Sequence, residues 1–219
     1  MAIRFKRKSN DNWKIMEPNQ KAINKKYLKR KGRIMFPTSH DITTESMNDC
    51  LIVLNKLLIS GNTVLITSKP RYDCIKKICD KFNNYNFKEN IQFRFTITSN
   101  NNKILKFWEP EAPLFEERIK ALKYAFDNGY KTSVSIEPLL DNNLISLIKE
   151  LKPFVTESVW IGKMNYVKVN NLTQNEELFY ENIRVLNKKQ NWSKIVKEIK
   201  EFNYDKIRFK DSIKNLLSL

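Results

Sequence analysis

Several residue types that mark common functional sites are scarce in this chain of 219 residues. It has four glycines, three cysteines and one histidine. Four scattered glycines cannot form a glycine-rich phosphate loop, and one histidine excludes a metal site built from several histidines. No apolar run reaches the roughly 18 residues of a membrane span. Residues 1–8 are basic and no apolar segment follows them, so we expect no secretory signal, a cytoplasmic location and reduced thiols.

The charge of the chain is strongly positive, at +16, and it is concentrated near the N-terminus. Residues 1–33 carry 12 basic side chains against two acidic ones. A basic arm on a more balanced body is typical of nucleic-acid binding, because lysine and arginine release counterions from phosphates. The alternative is a solvated arm that reflects a general enrichment in lysine and asparagine. We therefore expect a basic N-terminal arm over residues 1–32 and treat residues 1–33 as a candidate nucleic-acid contact.

Strand-like and helical segments alternate from residue 33 onward, which favours an α/β fold with parallel strands. Strands are predicted at 33–36, 63–67, 91–98, 131–137 and 158–163. Helices are predicted at 44–59, with Thr43 or Thr44 as its N-cap, and at 71–82, 115–128 and 142–151. The spacing predicts a domain of repeated (βα) units over residues 33–168. A helical extension over 169–219 is predicted to pack on it, with helices at 175–188 and 191–202 and a short strand at 206–209.

The third predicted strand alternates strictly between apolar and polar residues. Phe93 and Phe95 share one face, whereas Arg94, Thr96 and Thr98 share the other. An open doubly wound sheet would bury this polar row without partners, because helices cover both of its faces. A barrel lets the polar row point inward towards a ligand. The pattern favours a partial, TIM-like (βα) barrel.

Polar residues also follow the end of each predicted strand, where parallel α/β folds bind their ligands. The candidates are Thr38, Ser39, His40 and Asp41 after the first strand, Lys69 after the second, Thr98 and Ser99 after the third, Glu137 after the fourth, and Lys163 and Asn165 after the fifth. Helix capping is the alternative for Asp41. A general acid is one reading of His40. Lys69, Glu137 and Lys163 are stronger candidates, because a charged group at a strand end needs a ligand or a partner.

The three cysteines fit a core better than a metal site. Cys74 and Cys79 share the apolar stripe of a predicted helix, where cysteine behaves as a small apolar residue. Metal or cluster ligation is the alternative.

Six segments together resemble a known family. They are Gly32 to Thr43, Val64 to Pro70, Phe93 to Ile97, Phe107 to Pro110, Ser135 to Pro138 and Trp160 to Asn165. In this order they resemble radical S-adenosylmethionine (SAM) proteins of the subgroup similar to spore photoproduct lyase, also called DNA repair photolyase-like. The resemblance covers about residues 32 to 165, and more loosely 207–214.

This resemblance implies a partial (βα)6 barrel with SAM lying across the strand ends. The methionyl ammonium would meet Thr38, Ser39 and His40. Lys69 would take the methionyl carboxylate. Thr96 and Thr98 would contact the ribose. The wall of the site would be completed by Glu137, Lys163 and Asn165.

The chain departs from the family in one defining feature. The family holds a [4Fe–4S] cluster through a Cys-x3-Cys-x2-Cys loop after its first strand, and no cysteines here have that spacing. We therefore expect that this first strand and loop are missing or replaced, and that the chain does not cleave SAM reductively. The alternatives are a cluster-free module that binds a nucleotide or nucleic acid, and a protein that acts through protein contacts alone.

Overall fold

Six parallel strands form a single sheet in the computed structural model, which describes residues 17–218. The strands are β1 (Arg33–Phe36), β2 (Thr63–Ser68), β3 (Ile91–Thr96), β4 (Lys131–Ile136), β5 (Ser158–Ile161) and β6 (Ile207–Phe209). They lie side by side in sequence order. Every neighbouring pair is parallel. A doubly wound sheet would reverse its strand order at a switch point. The sequential order is that of a partial barrel, and the predicted fold class is confirmed.

Ten α-helices lie within the described residues. They are α1 (Gln20–Asn24), α2 (Met47–Ile59), α3 (Tyr72–Lys81), α4 (Tyr85–Lys88), α5 (Asn102–Trp108), α6 (Phe115–Asp127), α7 (Leu144–Leu151), α8 (Gln174–Leu186), α9 (Lys189–Phe202) and α10 (Asp211–Leu217). A 3-10 turn (Lys152–Phe154) follows α7. Among residues 17–218, every helix is too short or too polar to span a lipid bilayer.

The two faces of the sheet differ in the way that the alternation predicts. Phe93 and Phe95 are fully buried in the core on the helix side. Arg94 and Thr96, on the opposite face, are only half-buried. Met35 of β1 is 51% exposed, because β1 and β6 do not pair and the barrel is open on that side. The inner face is therefore a polar wall that solvent reaches at Arg94 and Thr96, whereas Gln92 of the same row is buried.

Helix α2 begins later than predicted. Its N-cap is Ser46 rather than Thr43 or Thr44. The Ser46 hydroxyl accepts a hydrogen bond from the Thr43 backbone N–H, at 3.1 Å, so residues 43–46 form a turn before the helix starts. The predicted strands at 91–98, 131–137 and 158–163 are shorter in the structure, because their last residues turn into the loops that carry the candidate site.

Part of the predicted basic arm packs on the body of the protein. The side chain of Ile23 in α1 joins the core, and Lys56 of α2 donates a hydrogen bond to its carbonyl. Asn62 accepts a hydrogen bond from the Arg30 backbone N–H, at 2.7 Å. These contacts place residues 23–30 beside the amino-terminal end of β2, opposite the strand ends of the candidate site. Residues 1–16 lie outside the described part of the chain.

Candidate functional site

The ends of β1 and β2 are joined by an ion pair. Lys69 Nζ lies 3.5 Å from Asp41 Oδ2, and the side chains are 28% and 38% exposed. The other carboxylate oxygen of Asp41 accepts a hydrogen bond of 2.7 Å from the Lys69 backbone N–H. It also accepts one of 3.3 Å from the Ser68 hydroxyl. Asp41 therefore fixes the end of β2 rather than capping a helix, and it leaves the Lys69 ammonium accessible at the edge.

The segment just before Asp41 is open to solvent. Thr38, Ser39 and His40 are all exposed. His40 contacts the Asp41 backbone carbonyl through Nδ1, at 2.8 Å. The structure thus places these three side chains beside the Asp41–Lys69 pair, at the carboxyl-terminal edge of the sheet.

Thr96 and Thr98 lie in different surroundings although both follow the polar face of the sequence pattern. Thr96 is the last residue of β3 and is half-buried. Thr98 lies beyond the strand and is fully buried. Its hydroxyl has no hydrogen-bond partner within residues 17–218 and is closed to solvent. Of the two threonines, only Thr96 can be reached from the inner face as the structure stands.

A second ion pair lies at the end of β4. Glu137 Oε2 is 3.0 Å from Nζ of Lys210, the residue that follows β6. A β-carbon added to Gly162 would lie 2.8 Å from Glu137 Cγ, so the glycine makes room for this carboxylate. Lys210 also lies over the Trp160 ring, 5.4 Å from its centroid. The sequence analysis did not single out Lys210, which lies 73 positions from its partner.

Lys163 and Asn165 follow β5 at the same edge. Lys163 is half-buried and makes no ion pair with any described carboxylate. Asn165 is exposed in an open cleft of about 460 Å³, which it lines together with Trp108, Tyr166, Val167, Lys168 and Tyr180. The structure therefore brings Lys69, Thr96, Glu137 and Lys163 to one edge, whereas Asn165 lies in this cleft.

A buried ion pair supports the carboxyl-terminal end of β3. Arg118 is fully buried, and its Nη2 lies 2.6 Å from Glu109 Oε2, in an orientation that gives an ion pair without a well-aligned hydrogen bond. Arg118 Nε donates to the Pro113 carbonyl at 2.7 Å, and Nη1 donates to the Thr96 carbonyl at 3.3 Å. Arg118 thus ties the loop before α6 to the end of β3.

The three cysteines do not fit an iron–sulfur cluster. Cys50 lies on α2, and Cys74 and Cys79 lie on α3, all buried and free. Burial raises the pKa of each thiol, that of Cys79 to about 12. Cluster ligation needs accessible thiolates. Among residues 17–218 no group of three or more His, Cys, Asp or Glu side chains is placed to hold a metal ion.

No family model matches the chain, and no curated protein matches its sequence significantly. Two crystal structures of SuiB from Streptococcus suis are similar in structure, with TM-scores of 0.47 and 0.48 and 13% sequence identity. The second of these is bound to S-adenosylmethionine. The similarity covers 74% of this chain and 35% or 36% of SuiB, so the chain spans about a third of SuiB.

Proposed function

We propose that this chain binds SAM at the carboxyl-terminal edge of its partial barrel and does not cleave it reductively. The observation that carries the proposal is the Asp41–Lys69 ion pair. The methionyl end of SAM has one ammonium and one carboxylate, and the pair offers one carboxylate and one ammonium 3.5 Å apart. Charge-assisted hydrogen bonds to both ends of an amino acid are specific and strong. Exchange of the internal pair for the ligand keeps both charges compensated.

The neighbouring strand supports the remainder of the ligand. β3 lies next to β2, about 5 Å away by ordinary strand spacing. Its accessible Thr96 hydroxyl suits one oxygen of the ribose diol. Lys69 follows β2 and Glu137 follows β4, two strand spacings apart, so a ligand that reached both would span about 10 Å of the edge. Thr38, Ser39 and His40 add exposed polar groups on the Asp41 side, and Lys163 lies on the far side.

The absence of reductive cleavage is proposed from the chemistry of the cysteines. An iron–sulfur cluster would supply the electron that breaks a carbon–sulfur bond of SAM. The described thiols are buried on helices and their pKa values are raised, so they do not fit the cluster. Formation of 5′-deoxyadenosine from SAM and dithionite under anaerobic conditions would contradict this part of the proposal.

Calorimetric titration with SAM tests the binding. We expect Lys69→Ala to weaken SAM binding at least tenfold, since a hydrogen bond to a charged group contributes about 1.5–3 kcal/mol. The matched control is Lys131→Ala, which breaks the exposed Lys131–Glu89 ion pair of 2.9 Å at the amino-terminal end of β4. Adenosine lacks the amino-acid end, so its affinity should be the same in wild type and in Lys69→Ala. If wild type and Lys69→Ala bind SAM with equal affinity, the assignment of SAM to the Asp41–Lys69 pair is wrong.

Nucleic-acid binding by the basic arm is a second candidate. Lys25, Lys26 and Lys31 are exposed and make no ion pair with a carboxylate of residues 17–218. Because Ile23 belongs to the core, deletion of the arm would damage the fold, and replacement of the three lysines by glutamine is the better test. We propose that these replacements reduce both the affinity for single-stranded DNA and its dependence on salt, as measured by fluorescence anisotropy. Binding that does not respond to salt would rule out this candidate.

A further inference from the structure

We propose that the interior of the partial barrel binds the phosphate or carboxylate group of a second molecule, on Arg94 with help from Ser135. This goes beyond SAM binding, because neither residue belongs to the SAM site proposed above. The inference rests on an uncompensated cation on the inner face of the sheet.

Arg94 is held in the interior by the alternation of β3. Its neighbours Phe93 and Phe95 are fully buried on the helix side, so the guanidinium lies on the inner face. It packs over Trp160 of β5, with Cζ 5.3 Å from the ring centroid. Its Nε is buried and has no hydrogen-bond partner within the described residues. A half-buried cation that lacks a counter-charge is costly, and a bound anion would offset that cost.

The nearby charges add to the positive potential. Burial and the charge of Arg33 both lower the pKa of Arg94, as expected where a second cation lies close. Lys210 lies over the same Trp160 ring, at 5.4 Å. The carboxylate of Glu137 is already engaged by Lys210, at 3.0 Å. No ion pair between Arg94 and a carboxylate occurs within residues 17–218, so no counter-charge among these residues neutralises the guanidinium.

Ser135 supplies a hydroxyl on the same wall. In the strand register Ser135 pairs with Thr96 on β3 and with Trp160 on β5, which places it two residues further along the inner face than the level of Arg94. It is half-buried and its hydroxyl bonds to no described residue. Successive inner-face residues lie about 7 Å apart along a strand, which is within the reach of an arginine side chain. A guanidinium and a hydroxyl can therefore converge on one anion.

A chain of hydrogen bonds closes the inner face of the sheet on the amino-terminal side of Arg94. Arg33 donates to Gln92, Gln92 donates to Ser133 at 2.8 Å, and Ser133 donates to the Phe93 carbonyl at 3.0 Å. Gln92 and Ser133 are buried and satisfied by these bonds. Arg94 Nη1 and Nη2 and the Ser135 hydroxyl also lack hydrogen bonds to the described residues but, unlike Arg94 Nε, are open to solvent, so they are the donors that an anion can reach. A planar guanidinium binds carboxylate and phosphate in the same two-pronged geometry, so the ligand is a small molecule bearing either group.

Side-chain NMR of the ¹⁵N-labelled full chain tests the proposal, with inorganic phosphate and acetate as probes. The Nε–Hε signal of Arg94 is assigned by its disappearance in Arg94→Gln. We expect a saturable shift of this signal with phosphate, with acetate or with both, and the responding probe identifies the group. Calorimetry should show at least tenfold weaker binding of that probe in Arg94→Gln. Ser135→Ala, which is a smaller change, should weaken it about threefold. The control Lys123→Gln removes an exposed cation of α6, outside every site proposed for this chain, and should bind as wild type.

Thermal unfolding separates a binding role from a structural one. At constant ionic strength, phosphate or acetate should raise the melting temperature of wild type more than that of Arg94→Gln, because only the variant lacks the site and both share the general effect of the salt. The inference is overturned if neither probe shifts the Arg94 signal, or if Arg94→Gln and Ser135→Ala bind as wild type. It is also overturned if Arg94→Gln abolishes SAM binding and SAM competes with the probe, because Arg94 then holds the methionyl carboxylate. Lys69→Ala should lose SAM and keep the probe, so failure of the SAM proposal is seen separately.

Discussion

Replacement of Glu109 by glutamine should destabilise the protein far more than an ordinary charge removal. The change is nearly isosteric, but it leaves the Arg118 guanidinium buried without its counter-charge, 2.6 Å from the neutral amide. Arg118 is fully buried and the Glu109 side chain is only 10% exposed, so water cannot replace the lost carboxylate. Removal of one partner of a buried ion pair costs about 3–5 kcal/mol.

We expect about 3 kcal/mol for Glu109→Gln, at the lower end of the range, because the amide oxygen can still accept a hydrogen bond. In a chain of this length each kcal/mol shifts the melting temperature by about 2–4 °C, so the loss corresponds to about 6–12 °C. Urea unfolding followed by circular dichroism at 222 nm measures the free energy, and the thermal midpoint checks it.

The matched control is Glu111→Gln, which removes an exposed carboxylate from the same loop and should cost less than about 0.5 kcal/mol. The double variant Glu109→Gln with Arg118→Met removes both charges and should recover part of the loss, since no unpaired charge remains. If Glu109→Gln lowers the free energy of unfolding by less than about 1 kcal/mol, the pair is not closed to solvent and does not support the end of β3 at Thr96.

Three further predictions concern other parts of the chain. Gly162→Ala should displace Glu137 and lower the free energy of unfolding by about 1–3 kcal/mol in urea titrations, because its new β-carbon would lie 2.8 Å from Glu137 Cγ. The three thiols, including Cys79 with its pKa near 12, should react with Ellman's reagent only after unfolding, and reaction in the folded protein would contradict their burial. Hydrogen bonds from Thr173 lower the pKa of Glu176 below its usual value of 4.5. The cap of α8 therefore stabilises the fold above pH 4.5, and this stabilisation is lost as the pH falls through the lowered pKa. Thr173→Ala should raise the midpoint of the Glu176 titration followed by NMR.

The strands and their facing were predictable from sequence because the two faces of β3 have different chemical environments. Helices cover one face, which selects Phe93 and Phe95, and solvent reaches the other, which admits Arg94 and Thr96. The resulting alternation of apolar and polar residues along the strand can be recognised in a single sequence. The short helices α1, α4, α5 and α10 were not predicted, since seven residues or fewer give too little apolar periodicity to recognise.

The ion pairs of the candidate site could not be predicted in the same way. Arg118 follows two glutamates on an amphipathic helix and has the sequence pattern of a surface cation, yet it is fully buried. Its partner Glu109 lies nine positions earlier, across a loop with two prolines. Glu137 was predicted to need a partner, but only the position of β6 beside β5 brings Lys210 to it. Such pairings depend on tertiary placement, which local patterns do not encode.

The sequential strand order also has a consequence for how the chain folds. Each strand pairs with the next one along the chain, as Arg33 does with Thr63, 30 positions later. A closed barrel would need its first and last strands to meet, and here β1 and β6 are more than 170 positions apart and do not pair. The sheet can therefore be assembled one strand–helix–strand unit after another, without the much longer loop closure that a complete barrel needs between its first and last strands.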